Sequence, residues 1–236
     1  MPATPLPASG SLPGDDGSPD DRTCDASGMI EIHRMFRAGF AEAPSLVRGV
    51  AEGDASHADA VGGHLDMLAV GLHAHHEGED SRLWGALVQR APRCATHVAR
   101  MQAQHAAMLV HLDALDAALP AWRKHGRAAE ASAVLAALDG INAALEVHLP
   151  DEEANIVPVM EMTITPQEIR WFSEHGRRAT PKGKSWAQLG AILAAQPDGG
   201  EAWQREHLPA PARLAWRLMG RRRYEAERAS LTRPGR

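Results

Sequence analysis

Leu65-Asp66-Met67-Leu68-Ala69-Val70-Gly71-Leu72-His73-Ala74-His75-His76-Glu77-Gly78-Glu79-Asp80-Ser81-Arg82-Leu83 is the stretch that decides the fold. Its apolar line, Leu65, Leu68 and Leu72, runs on through His75 and Glu79 to Leu83 and Ala86 in the three- and four-residue steps of one helix face. An imidazole and a carboxylate in a helix's own buried stripe are costly unless the core holds something that receives them. The neighbouring pairs at the same spacing, His73/Glu77 and His76/Asp80, fall on other sides of the helix and, like His64, read as solvated or as supports around a site.

Three further segments carry comparable stripes. Val98, Met101, His105, Met108, Leu112, Leu115 and Leu119 form one, and Val134, Leu138, Ile141, Leu145, His148, Glu152 and Val159 another. The first segment gives Met29, His33, Phe36, Phe40 and Val47. Punctuation near Gly53, Pro92 and Pro120 to Gly126 separates the four. Residues around a turn share a height when they stand equally far from it. His33 lies 20 residues before Gly53 and His75 lies 22 after it, a difference of about 3 Å along the axis. His105 and His148 match around Gly126 in the same way. The expected fold is therefore all-α: an antiparallel up-down-up-down four-helix bundle over residues 23–160, with donors from every helix at one level.

The totals agree with that class. Of 236 residues, 44% are hydrophobic but only 4% aromatic, which suits one helical core better than sheets. With 13 His and 30 acidic residues, pairs four apart arise readily by chance, so their place in the stripes carries the argument and their number does not. Residues 1–22, rich in Pro, Gly, Ser and Asp, read as a disordered tail. Residues 161–236 read as a helical extension: Thr165-Pro166-Gln167-Glu168 opens one helix with a capping box, another spans about Trp186 to Ala195, and the last, Pro211 to Arg228, is basic and amphipathic. Its arginines read as a solvated face more than a nucleic-acid or lipid contact. Cys24 and Cys94 read as reduced thiols, and no signal or membrane-spanning pattern stands out, so the expected location is cytoplasmic.

Four neutral imidazoles (His33, His75, His105, His148) and two carboxylates (Glu79, Glu152) suit a pair of first-row metal ions, with iron the natural choice. Pro150 lies between His148 and Glu152 and removes a helix hydrogen bond, which leaves Glu153 as an alternative to Glu152. Met101 and Met108 read as core filling beside the site.

The chain resembles the hemerythrin-like family, the HHE cation-binding domain. The resemblance rests on His33, on His75-His76-Glu77-Gly78-Glu79-Asp80 with Leu83-Trp84, on His105, and on His148-Leu149-Pro150-Asp151-Glu152-Glu153 running to Ile156-Val157-Pro158. It covers about residues 25–160. More loosely, Leu208-Pro209-Ala210-Pro211 and Arg221-Arg222-Arg223-Tyr224 resemble the C-terminal extension of actinobacterial members. The resemblance implies two non-haem iron ions, oxo- or hydroxo-bridged when oxidised, that meet dioxygen, hydrogen peroxide or nitric oxide. It implies His33 and His75 on one iron, His105 and His148 on the other, and Glu79 and Glu152 between them. The family's oxygen carriers use five histidines. Met101 and Leu109 stand where a second in-line histidine would lie on the His105 helix, so the fifth is expected to be absent, leaving about two open positions per metal.

Two functions follow as expectations. One is redox chemistry on small oxidants in oxidative or nitrosative stress, with peroxidase or nitric oxide-oxidising activity. The other is a sensor of oxygen, nitric oxide or iron that signals through the C-terminal helices. The expected partners are the small ligand and a redox partner, with no nucleic acid and no membrane span, in a monomer or weak homodimer.

Overall fold

The computed structural model describes residues 22–233, and the expected N-terminal tail lies, but for Arg22, outside them. Arg22 pairs with Glu161 at 3.3 Å. The described residues are helical throughout, with no strand among them. Helix α1 spans Ser27–Arg48 and α2 spans Ala55–Gly78, running through a wide π turn at Glu79–Leu83 into α3, Trp84–Arg90. A short 3-10 turn, Pro92–Cys94, leads to α4, Ala95–His125, and then α5, Ala128–Asn155. Helices α1, α2, α4 and α5 close a ring in which each touches the next and α5 returns to α1.

Neighbours in the ring run in opposite senses. His33 faces His75 while Gly39 faces Leu68; His33 meets Glu153 while Asn142 donates to the Phe40 carbonyl. Gln104 meets His148 while His111 lies on Gly140, and His76 stacks on His105 while Arg123 lies on Gly62. The predicted stripes are the buried residues: Leu65, Leu68, Leu72, Met108, Leu112, Leu115, Leu138, Ile141 and Leu145 form one core with Phe36 and Phe40. Burial of each such side chain contributes about 1.5–3 kcal/mol to stability.

Pro120 does not end its helix; α4 continues to His125 and stops where Gly126 adopts a left-handed φ of +63°, with its Cα packed close to the Asp54 backbone. A proline that near the end removes one hydrogen bond without unwinding the remaining turn. The fourth segment breaks at Ile156, two residues before Pro158, which then occupies the first turn of α6, Val157–Thr163. By length and composition the combined stretch 128–163 is apolar enough to cross a membrane, an 18-residue window in it having a mean hydropathy of 1.3. Here it stands between α1 and α4 as a wall of the ring, and its buried face carries His148 and Glu152.

Beyond the ring come α7, Pro166–Ala179, and α8, Ser185–Ala194. The capping box at Thr165 and Glu168 is present, and Arg90 holds the same Glu168 through two bonds of 2.6 and 2.8 Å. An unforeseen helix α9, Glu201–His207, follows. The basic helix is α10, Ala210–Ala215, continued by a π turn at Trp216–Gly220 into α11, Arg221–Leu231. α11 returns to the far end of the bundle: His57 meets the Leu231 carbonyl at 2.9 Å, Arg233 bonds Asp54 at 2.9 Å, Lys184 bonds Glu227 at 2.6 Å and Arg228 pairs with Glu42.

This docking buries His64, read from sequence as an outer residue, beside Arg228. Burial, followed by the Arg228 charge, pushes the His64 imidazole down to about 4. The unfolded chain protonates His64 near its ordinary value, so this contribution to stability is complete above that value and falls as pH drops toward 4. Its full size is about 3 kcal/mol. In urea titrations at pH 7 and pH 4.5, His64→Leu should remove that part of the acid slope; an unchanged slope would show that His64 stays neutral on unfolding or protonates freely when folded.

Candidate metal centre

All six side chains singled out in the sequence meet in the middle of the ring. Each is between 0% and 5% exposed. One donor from each of His33, His75, Glu79 and Glu152 lies within 4.8 Å of the others, and a second group of the same tightness contains Glu79 again, with His105, His148 and His76.

His76 corrects the sequence reading, which placed it outside the stripe. It is 6% exposed, stacks on His105 at 4.1 Å and leaves its Nε2 buried without a partner. Consecutive residues on a helix point about 100° apart, and α2 has neighbours on two sides. His75 faces α1 and His76 faces α4, so both are interior. The signal was present in the sequence: Leu72 and Leu83 stand four before and seven after His76, on the same line. With His76 inside, α2 brings a fifth imidazole into the cluster, next to His105 and not in line with it. Asp80 from the same misread pair lies outside, where its carboxylate takes a hydrogen bond from His105 Nδ1 at 3.1 Å.

Each bundle helix positions its donor by its own stripe, and three imidazoles are locked from behind. Besides Asp80 on His105, Glu153 accepts from His33 Nδ1 at 2.9 Å and Gln104 Oε1 accepts from His148 Nδ1 at 3.0 Å. The Gln104 amide is fixed in turn, since its Nε2 donates to Asp151, which Arg100 grips through two bonds of 2.6 Å. An Nδ1 that donates outward leaves Nε2 as a bare lone pair, and these lone pairs converge: His33 and His75 Nε2 are 3.1 Å apart, His105 and His148 Nε2 3.3 Å. Glu153 therefore stands behind His33, clamped also by Arg37 at 2.8 Å, while Glu152 occupies the interior; Pro150 does not exchange them.

The two glutamates reach both groups. Glu79 Oε1 is 3.2 Å from His75 Nε2 and its Oε2 is 3.5 Å from His105 Nε2. Glu152 Oε2 lies 3.4 Å from His33 Nε2 and 3.5 Å from His148 Nε2. All four carboxylate oxygens are buried and receive no hydrogen bond. Burial, then the facing Glu152 charge, pushes the Glu79 carboxyl well above its ordinary value. Burial, then neighbouring imidazoles, pushes His75 and His76 well below theirs, and burial brings His148 to about 4. Glu153 shows the reverse: burial opposes its charge, yet hydrogen bonds from His33 and Arg37 hold it at about 2. Inside, Glu79, His75, His76 and His148 are pressed toward neutrality; just outside, the charges are paired.

Bare acceptors facing bare acceptors in a dry core are unstable unless cations sit between them. The donor set, imidazole nitrogens with carboxylate oxygens and no thiolate, fits first-row metal ions. The fold and site define an all-α cation-binding bundle. The Hemerythrin HHE cation binding domain profile matches residues 26–166, and the chain belongs to that family. Comparison with curated proteins and with solved structures gave no match.

The locking bonds predict one tautomer. In the metal-free protein, nitrogen-detected NMR should find His33, His105 and His148 protonated at Nδ1, and Asp80→Ala should release His105 and weaken cobalt(II) binding by about 10- to 100-fold. Nε2-protonated rings in the wild type would contradict the arrangement.

Proposed function

We propose that the centre holds two iron ions, with His33 and His75 on one side, His76, His105 and His148 on the other, and Glu79 and Glu152 spanning both, and that the protein reacts there with small oxidants. The four buried carboxylate oxygens without any hydrogen-bond donor are the observation that carries this reading. When bound, an iron pair would supply electrons to dioxygen or hydrogen peroxide, or take them from nitric oxide. The chain's own part is preparation. Glu153, Asp80 and Gln104 keep the Nε2 lone pairs turned inward, Glu79 presents one oxygen to each side, and Trp84 and Met101, both buried, help to keep bulk water out.

The donors are unequal on the two sides. Three imidazoles with two carboxylates leave a six-coordinate ion about one position, whereas two imidazoles with the same carboxylates leave about two. Small molecules would therefore meet the His33 and His75 side.

One contact favours the second reading, that of a sensor. Phe172 of α7 packs edge-on against the His75 ring at 5.3 Å, and a Cβ on Gly78 would lie 2.8 Å from that phenyl ring, so only glycine lets α7 come so close. A change at His75 would press directly on the extension.

Protein purified from iron-rich growth should hold about two irons per chain. His75→Ala, His148→Ala and His76→Ala should each lose most of them, and the reduced, iron-loaded protein should change its optical spectrum on adding hydrogen peroxide. A single zinc with full occupancy, or a spectrum indifferent to peroxide, dioxygen and nitric oxide alike, would refute the proposal. Limited proteolysis of residues 163–229 that differs between oxidised and reduced protein would favour the sensor.

A further inference from the structure

A cavity of about 530 Å³ separates α1 and α2 from α7, α8 and α9, and its inner wall includes His75. That volume lies within the range of small-molecule sites and far exceeds what a diatomic gas or peroxide needs. Its walls are mainly apolar: Met29, Met35 and Phe36 from the bundle, Phe172, Leu189 and Trp203 from the extension. Protein interiors seldom leave such a space unfilled, because every unpaired wall atom forfeits its packing contacts.

The space is also kept open by residue choice. Gly28 and Gly176 both line it, both lie inside helices, and a Cβ on either would meet nothing within 4 Å. Glycine inside a helix costs about 0.5–1 kcal/mol relative to alanine, so Gly176 is explained neither by crowding nor by helix stability, and Gly28, in the first turn of α1, is not explained by crowding.

The charges at the cavity distinguish what would enter. Asp25 accepts from the Ser27 backbone, and Glu31 pairs with His207 at 3.0 Å. Arg177, exposed on the lining, has no carboxylate partner among the described residues. Among the described residues the two acids keep their charges but have partners, whereas the guanidinium of Arg177 has none. An occupant therefore has an apolar body and a negatively charged end.

We infer that this cavity binds a small apolar monocarboxylate, its chain or rings against Phe36, Phe172 and Trp203, its carboxylate on Arg177, and its far end beside His75. The binding does not depend on which metal the centre holds, so it can fail or succeed separately from the reading above.

Isothermal titration of the full-length, metal-loaded protein with dodecanoate and with dodecanol tests it, repeated on metal-free protein. One dodecanoate should bind per chain with a negative heat-capacity change, at least about tenfold tighter than dodecanol. Arg177→Gln should bring dodecanoate down to the dodecanol level and leave dodecanol unchanged. Gly176→Leu should weaken both by about tenfold or more while metal content and melting temperature hold, and Gly28→Leu, on a different helix, should do the same if the first variant melts early. Absence of saturable binding by either probe, or binding untouched by both glycine replacements, would overturn the cavity as a site. Equal affinity for the acid and the alcohol would overturn the carboxylate assignment.

Discussion

Two glutamates buried without a single hydrogen-bond donor, facing imidazoles that turn their lone pairs toward them, set the terms for the rest of the molecule. No protein group in the core satisfies those oxygens, so the surrounding structure must both hold them there and leave room for cations. The ring of helices does the first by packing leucine and phenylalanine layers on the turns away from the site, which fixes the height and rotation of each donor. The outer hydrogen bonds complete it. Asp80, Glu153 and Gln104 are more exposed than the rings they orient; Glu153 draws support from Arg37, and Gln104, through Asp151, from Arg100. The order from inside outward is unpartnered acceptors, then paired charges, then water.

The bundle was legible because its information is local. Stripes at helical spacing specify which face of each segment is buried, and turn distances specify height, so His33, His75, Glu79, His105, His148 and Glu152 could be placed together without coordinates. His76 was not legible in the same way. A single-stripe reading treats each helix as having one inner direction, but a helix in a closed ring faces two neighbours, and adjacent residues can serve one each. His64 was misread for a different reason: the surface covering it comes from a helix more than 150 residues further along the chain, and no periodicity near His64 announces that. The π turns at Glu79–Leu83 and Trp216–Gly220 and the short helix α9 belong to the same class of feature, set by packing between distant segments.

The extension is more than an appendage in this geometry. It begins at the metal end of the bundle, where α7 lies over Gly78 and His75, and it finishes at the opposite end, where Leu231 and Arg233 meet His57 and Asp54. It thus spans the length of α2 and covers a face that a bare four-helix ring would expose. The apolar cavity exists only because the extension arches over α1 and does not press flat against it.

Helix α2 and the π turn that continues it place His75 in one group of donors, His76 in the other, and Glu79 in both. A rotation of this one rod by a few degrees moves a donor on each side at once, in opposite directions relative to the pair. The two groups share one rod: a displacement of His75 is carried by the backbone to His76 and so to the His105 ring stacked on it.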